Sequence, residues 1–269
     1  MQLFDSHFFD SHCHFDFADF DQDREQIWRD CNERGIQHLM IPGVAPQQWQ
    51  TAAAIAEQHK NIVIGIGLHP HWIQKDLADE SIPNYLTDIR QQLERNIQQQ
   101  NCVAVGECGL DAFIETSMDL QQQVLAVHFQ LAQETTLPLI IHCRKAHNEL
   151  FALLQEYELP VGGVIHAFSG SYELAARYWA MGFRLGIGGT ITYERAKKTH
   201  DAVKQLPLEA ILLETDAPDM PLNGKQGERN SPVNIIEIAQ ALADLRGETL
   251  ATIAEQTTRN AQTLFKITP

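Results

Sequence analysis

Short apolar runs recur eight times in this chain, at 8–14, 38–44, 62–68, 102–108, 137–143, 162–168, 183–188 and 210–216, and helical patterns lie between them. Each run is brief and flanked by Gly, Pro or polar residues, as expected of a strand covered on both faces. Strand–helix alternation favours a parallel sheet, whose neighbouring strands need crossovers, and eight alternations favour the closed form, a single (β/α)8 TIM barrel. The intervening segments agree. Across 117–135, Leu120, Val124, Val127 and Leu131 recur at spacings of three and four, which makes one apolar stripe on a helix, and Pro138 blocks its continuation. The stretches 172–181, 235–245 and 249–265 repeat the pattern, and the acidic, Gln-rich 91–100 reads as a solvated helix face.

The 269 residues match the roughly 250 typical of that barrel, and no linker or composition shift interrupts them, so 1–269 is read as one domain. Residues 1–9 carry no basic residue and no long apolar stretch, unlike a signal peptide, and no window approaches the about eighteen apolar residues of a membrane span. The expectation is a cytoplasmic protein with no membrane association and no obligate protein partner. Five cysteines, an odd number, argue for free thiols over a disulfide framework. Cys13, Cys108 and Cys143 each follow a candidate ligand, and alternation turns them outward as small buried hydrophobes. A formal charge of −15 disfavours tight sequence-independent binding along a polyanion, although metal ions and a local basic rim can still hold one or two phosphates.

In a barrel of this kind reactive groups converge at the carboxyl ends of the strands. Metal-type side chains stand at those ends: His12 and His14, Glu107, His142, His166 and Asp216. Within Asp10-Ser-His-Cys-His14 the alternation puts Asp10, His12 and His14 on one face of the first strand, where two imidazoles can grip one ion. Glu107 is a carboxylate among apolar neighbours, costly there unless paired or metal-bound, and suited to bridge two ions; a salt bridge across the barrel is the alternative. His142 and His166 end neighbouring strands and make a second half-site, or else are hydrogen-bonded core histidines. Asp216 can bind metal and accept a proton from water as general base, or cap a turn before Ala217-Pro218. Glu214 faces the same way, deeper. Four histidines and two carboxylates suffice for two divalent ions, with Zn, Mg and Mn all admissible.

These residues resemble the TatD-type metal-dependent deoxyribonucleases, within the metallo-dependent (amidohydrolase-like) barrels. The resemblance spans about 9–265. It rests on Asp10-Ser-His-Cys-His14, Gly67-Leu-His-Pro70, Gly106-Glu-Cys-Gly-Leu-Asp111, Pro138-Leu-Ile-Ile-His142, Gly163-Val-Ile-His-Ala-Phe-Ser-Gly170 and Glu214-Thr-Asp-Ala-Pro218. Thr190-Ile-Thr-Tyr193 and the run from Asp216 to Gly224 look most like the YjjV branch. The resemblance implies one metal held by His12, His14 and Asp216, a second held by His142 and His166, and Glu107 between them. Ala112 departs from it, since many members carry an aromatic there.

Arg144, His147, Ser169, His69 and Arg229 are the candidate substrate-binding residues; His71, Lys197 and Lys198 read as solvated. The expected activity is metal-dependent hydrolysis of a phosphodiester at DNA ends, or of another phosphoester, with Asp216 and Glu107 catalytic. A small-molecule amidohydrolase or esterase is the alternative, and a non-catalytic metal-binding protein the third class. No lysine ends the fourth strand, so a carbamylated-lysine bridge has no support.

Overall fold

The computed structural model describes residues 7–75 and 77–267; of the stretch inspected above for an export signal, 1–6 lie outside the described residues. Eight parallel strands follow one another in sequence order: β1 (Phe8–Asp10), β2 (Ile36–Ile41), β3 (Ile62–Ile66), β4 (Cys102–Asp111), β5 (Leu139–Arg144), β6 (Gly163–Ile165), β7 (Phe183–Ile187) and β8 (Ile211–Leu213). The ring closes just beyond the strand ends, where the Ser11 N–H donates to the Leu213 carbonyl (2.9 Å) and the Asp216 N–H to that of His12 (2.8 Å). The fold is the expected TIM barrel. Its helices are α1 (Arg24–Glu33), α2 (Pro46–Gln58), α3 (Ile82–Asn96), α4 (Met118–Thr135), α5 (His147–Leu154), α6 (Tyr172–Ala180), α7 (Lys197–Gln205), α8 (Ile235–Arg246) and α9 (Leu250–Phe265). No helix among the described residues is long and apolar enough to cross a membrane.

Local chemistry accounts for the elements. Ser117 caps α4 by accepting the Leu120 N–H, and the helix buries the apolar stripe read from sequence. Thr249 caps α9 in the same way. Inside the barrel, Phe9, Met40, Val63, Ala104, Ile140, Val164 and Leu212 form an apolar cluster, closed at the amino end by Ala261, Leu264 and Phe265 of α9. Burying each of the larger side chains contributes roughly 1.5–3 kcal/mol.

Several strand boundaries differ from the apolar runs, and two of the differences bear most on function. The first strand stops at Asp10, so His12 and His14 lie in the following loop rather than on alternate strand positions; backbone bonds from Cys13 N–H to Met40 and from His14 N–H to Ala217 hold that loop instead. The fourth strand runs on to Asp111 and carries a register shift between Val105 and Cys108. Ala104 already faces the barrel interior, so a regular strand would turn Glu107 outward. The irregularity re-aims it inward, as bulges do. Gly106 makes this possible: its φ is +144°, and a Cβ there would come 2.5 Å from the Ile140 carbonyl oxygen. All five cysteines are free. Cys13 and Cys108 are fully buried and their thiols are pushed well above 9.0 by burial, consistent with a packing role.

Candidate metal centre

The inner-face alternation that stacks the apolar cluster continues two residues further along the chain, from Ile140 to His142 on β5, from Val164 on β6 to His166 just past its end, and from Leu212 on β8 to Glu214 just past its end. Polar side chains therefore succeed apolar ones as the chain climbs to the carboxyl end. Glu107 sits at the middle. Its Oε1 lies 2.9 Å from His166 Nε2 and 3.4 Å from both His142 Nδ1 and His69 Nε2; its Oε2 lies 3.2 Å from His12 Nε2 and 3.7 Å from His14 Nε2. Asp216 Oδ1 is 3.5 Å from His12 Nε2 and 3.6 Å from His14 Nε2. All six ligands expected from sequence thus meet around one point, at the floor of an open mouth of about 250 Å³.

Three ligand triples have atoms close enough to share an ion: His12, His14 and Asp216; His12, Glu107 and His166; and His69, Glu107 and His142. His69 has a different part from the rest. Its Nδ1 accepts the His71 N–H at 3.2 Å, which leaves its proton on Nε2, facing Glu107 Oε1. It orients the carboxylate as a donor.

The electrostatics favour neutral imidazoles around an ionised carboxylate. Burial, reinforced by His166 for His12 and by His12 for His14, lowers the pKa of both, that of His14 well below 6.5. Burial brings His69 down to about 3. Burial pushes Glu107 up, but His166, His69 and His12 outweigh it and hold the carboxyl well below its ordinary value. His142 goes the other way: burial lowers it, while Asp111 and Glu107 raise it to about 9. Asp216 is raised to about 7, chiefly by burial.

These residues fit divalent cations on an independent observation. Both ring nitrogens of His12, Nδ1 of His14 and of His166, and Oε2 of Glu107 are buried without a hydrogen-bond partner. Polar atoms buried unpaired are costly and uncommon in a folded protein. Of these atoms His12 Nε2 and Glu107 Oε2 face the centre, and imidazole nitrogen with carboxylate oxygen is a donor set that Zn, Mn, Co or Mg accepts.

Supporting contacts were only partly visible in the sequence. Asp111 Oδ2 lies 3.3 Å from His142 Nε2 and 3.6 Å from His71 Nε2, so it fixes the ring that offers Nδ1 to the centre. Its place four residues after Glu107 on β4 was the available signal, hidden because the apolar run ends at Cys108. His71 is exposed, as expected, and also lines the mouth. Asp10 accepts the Thr215 N–H at 3.0 Å and the Thr215 hydroxyl, tying the Asp216 loop to β1. Glu214 is deeper, as expected: it accepts the Ala167 N–H, lies 3.8 Å from His166 Nδ1, and fits because a Cβ on Gly186 would strike its Oε2.

The candidate substrate residues separate. Arg144 reaches the mouth, 3.9 Å from Asp111, with its guanidinium 4.6 Å over the ring of Phe113, an exposed aromatic one position beyond Ala112. His147 and Ser169 line a cavity beside it; His147 Nδ1 faces Tyr178 Oη at 2.9 Å and Cys143 Sγ at 3.2 Å. Arg229 is not brought to the site. It forms a fork with Asp23 (2.6 and 3.0 Å) and lies 4.9 Å over Phe20, because the Asp23 carboxylate before α1 offers it a two-point partner.

Comparison with known proteins places this geometry. A sequence model of the family described as "TatD related DNase" matches residues 9–266. The chain is 40% identical over 261 residues to a protein of Escherichia coli (strain K12) named "Uncharacterized metal-dependent hydrolase YjjV", covering 97% of this chain and 98% of that one. The crystal structure of YjjV superposes with a TM-score of 0.88 over 97% of this chain and 98% of its own. The "3'-5' ssDNA/RNA exonuclease TatD" of Pantoea sp. (strain At-9b) is 34% identical over 258 residues, 92% of this chain and 95% of that one.

Proposed function

The chain belongs to the TatD related DNase family and is a metal-dependent hydrolase, and from this premise we propose that it is a phosphodiesterase that cleaves nucleotides from DNA ends. The observation that carries the reading is the centre itself: Glu107 within reach of five imidazoles, buried polar atoms left without partners, and an open mouth with Arg144 at its edge. The Pantoea relative of 34% identity, named as an exonuclease, points to the same bond.

Two divalent ions are proposed, one on His12, His14 and Asp216, the other on His142 and His166, with Glu107 reaching both. Bound there, such ions supply an activated water and neutralise charge on the phosphoryl group. Asp216 would take the water's proton at its carboxylate. Glu107 stays ionised and keeps the two halves at a fixed separation, with His69 donating to its Oε1. Asp111 keeps His142 turned inward. Arg144 presents its planar fork to a non-bridging phosphate oxygen, steadied by the Phe113 ring.

The test is the time course of a 3′-end-labelled single-stranded oligonucleotide with purified protein and added Mg²⁺ or Mn²⁺, beside Glu107→Gln as the contamination control. Stepwise loss of label by the wild type alone is the expected result. An oligonucleotide left intact under every divalent metal overturns the proposal.

A further inference from the structure

Next to the mouth lies a second cavity of different character. It has a volume of about 780 Å³, is bounded by the segments that follow β5, β6 and β7, and shares Arg144 and His166 with the metal centre. Five cations line it, Arg144, Lys145, Arg195, Lys197 and Lys198, out of 20 Lys and Arg in the chain; no Asp or Glu does, although the chain has 35. Arg144 lies 3.9 Å from Asp111, and the other four make no ion pair among the described residues. A concentration of unpaired positive charge on an otherwise acidic protein is unfavourable by itself and becomes favourable when an anion enters.

The backbone points the same way. Helices α5 and α7 both begin at this cavity, and the residues before them, Ala146 and Ala196, have no side chain to accept the first N–H groups. Alanine is a poor choice at that position. Where α6 enters, by contrast, Ser171 accepts the Leu174 N–H. Ser169 and the buried Thr199 add hydroxyls 3.4 Å apart between these ends. Unpaired lysines, uncapped helix ends and adjacent hydroxyls are together the requirements of a phosphate group.

We infer that this cavity is a second phosphate subsite, so that the substrate presents one phosphate to the metal centre and another to Lys197 and Lys198. This rests on the phosphodiesterase reading and narrows it: the substrate is a strand carrying at least two phosphates rather than a small single-phosphate diester. The second phosphate is either the neighbouring internal linkage or a free terminal group.

The measurement is fluorescence anisotropy of dye-labelled tetranucleotides binding to full-length protein in EDTA, where no turnover occurs. Three probes separate the sources: one with hydroxyl ends, one with a terminal phosphate, and one whose internal linkages beyond the scissile one are neutral methylphosphonates. Lys197→Ala/Lys198→Ala is expected to weaken binding about tenfold and to lower the salt slope by about 1 to 2. The control Lys60→Ala/Lys204→Ala, with the same charge change at the opposite end of the barrel, is expected to match the wild type. Ala196→Asp, which puts a carboxylate at the cavity wall, should weaken binding likewise, and covers the case in which the lysine pair misfolds. Loss confined to the methylphosphonate probe assigns the subsite to an internal phosphate; a gain confined to the phosphorylated end assigns it to a terminal one. Equal affinities and salt slopes for wild type, the lysine variant and Ala196→Asp overturn the subsite. Failure of the phosphodiesterase reading looks different: metal-loaded wild type that binds the probe through these lysines yet leaves it uncut.

Discussion

Ile140 and His142 stand two residues apart on the inner face of β5, and they belong to different worlds. Ile140 is fully buried among Phe9, Met40, Val164 and Leu212, with Phe265 of α9 closing the cluster below. His142 faces Glu107 and Asp111 in a mouth open to solvent. The same step from apolar to polar recurs at Val164 and His166. The amino end is packed chiefly with apolar side chains, with His38 Nδ1 and Arg184 Nε buried there without partners among the described residues. The carboxyl end instead buries a cluster of lone pairs without partners around an acidic hub. A region that departs from local stability rules while its immediate neighbours mostly obey them is where the fold has been shaped by chemistry.

The largest effect expected from breaking this division is at the hub. Glu107→Gln keeps the shape of the side chain and removes its charge, so bound metal, counted by elemental analysis, should fall and turnover should drop by about 10³-fold or more, since metal-borne charge stabilisation is worth several kcal/mol. The metal-free protein should lose some thermal stability, because the imidazoles around Glu107 hold its carboxyl well below its ordinary pKa. Unchanged metal content in this variant would refute the bridging role. The converse change, Ile140→Ala at the amino end, should cost about 2–5 kcal/mol of stability through the cavity it leaves, measured by urea unfolding. The folded fraction should retain wild-type turnover; a loss of kcat at full folding would show that the two ends are coupled.

Much of this division was legible in the sequence, and its limits have physical reasons. Eight apolar runs were enough for the barrel because a closed parallel sheet demands continuous burial. The six candidate ligands were legible because each stands at the end of such a run. The strand boundaries were not. Asp10 ends β1, and the loop carrying His12 and His14 is held by bonds to β2 and to the Ala217 loop, partners that sequence spacing cannot supply. Glu107 points inward only through the irregularity at Gly106, so simple alternation along a regular β4 would have misplaced it. Asp111 was hidden by a strand that outruns its apolar stretch. Lys197 and Lys198 are exposed, as their solvated reading has it, but only the fold gathers them with Arg144, Lys145 and Arg195 around one cavity.

A smaller effect sharpens the boundary between holding the ion and holding the holder. Asp111→Asn leaves the six candidate ligands in place and weakens the partner of His142 Nε2. Removing contacts of this kind commonly costs about 10- to 100-fold in metal affinity or activity. Isothermal titration with Mn²⁺ should show the loss, and excess metal should restore part of the rate. A variant whose affinity matches the wild type would mean that His142 is oriented by Glu107 alone.

The smallest effect comes from setting two equally buried imidazoles side by side. His12 has neither nitrogen paired, whereas His128, on α4, accepts the Leu68 N–H at Nε2 (3.0 Å) and places Nδ1 2.8 Å from the Val124 carbonyl. A buried histidine with both nitrogens satisfied is structural and should report on folding alone. Burial lowers its pKa from 6.5 to about 4. Between those values the unfolded chain takes up a proton that the folded chain refuses, so the stability His128 contributes above pH 6.5 is lost as the pH falls towards 4. His128→Gln keeps a donor and an acceptor but cannot titrate. It should flatten the acid limb of stability against pH by on the order of 1 kcal/mol per pH unit, measured by urea unfolding in EDTA, without altering metal affinity. An acid limb as steep as that of the wild type would mean that His128 titrates alike in both states, and that its two hydrogen bonds do not hold it neutral.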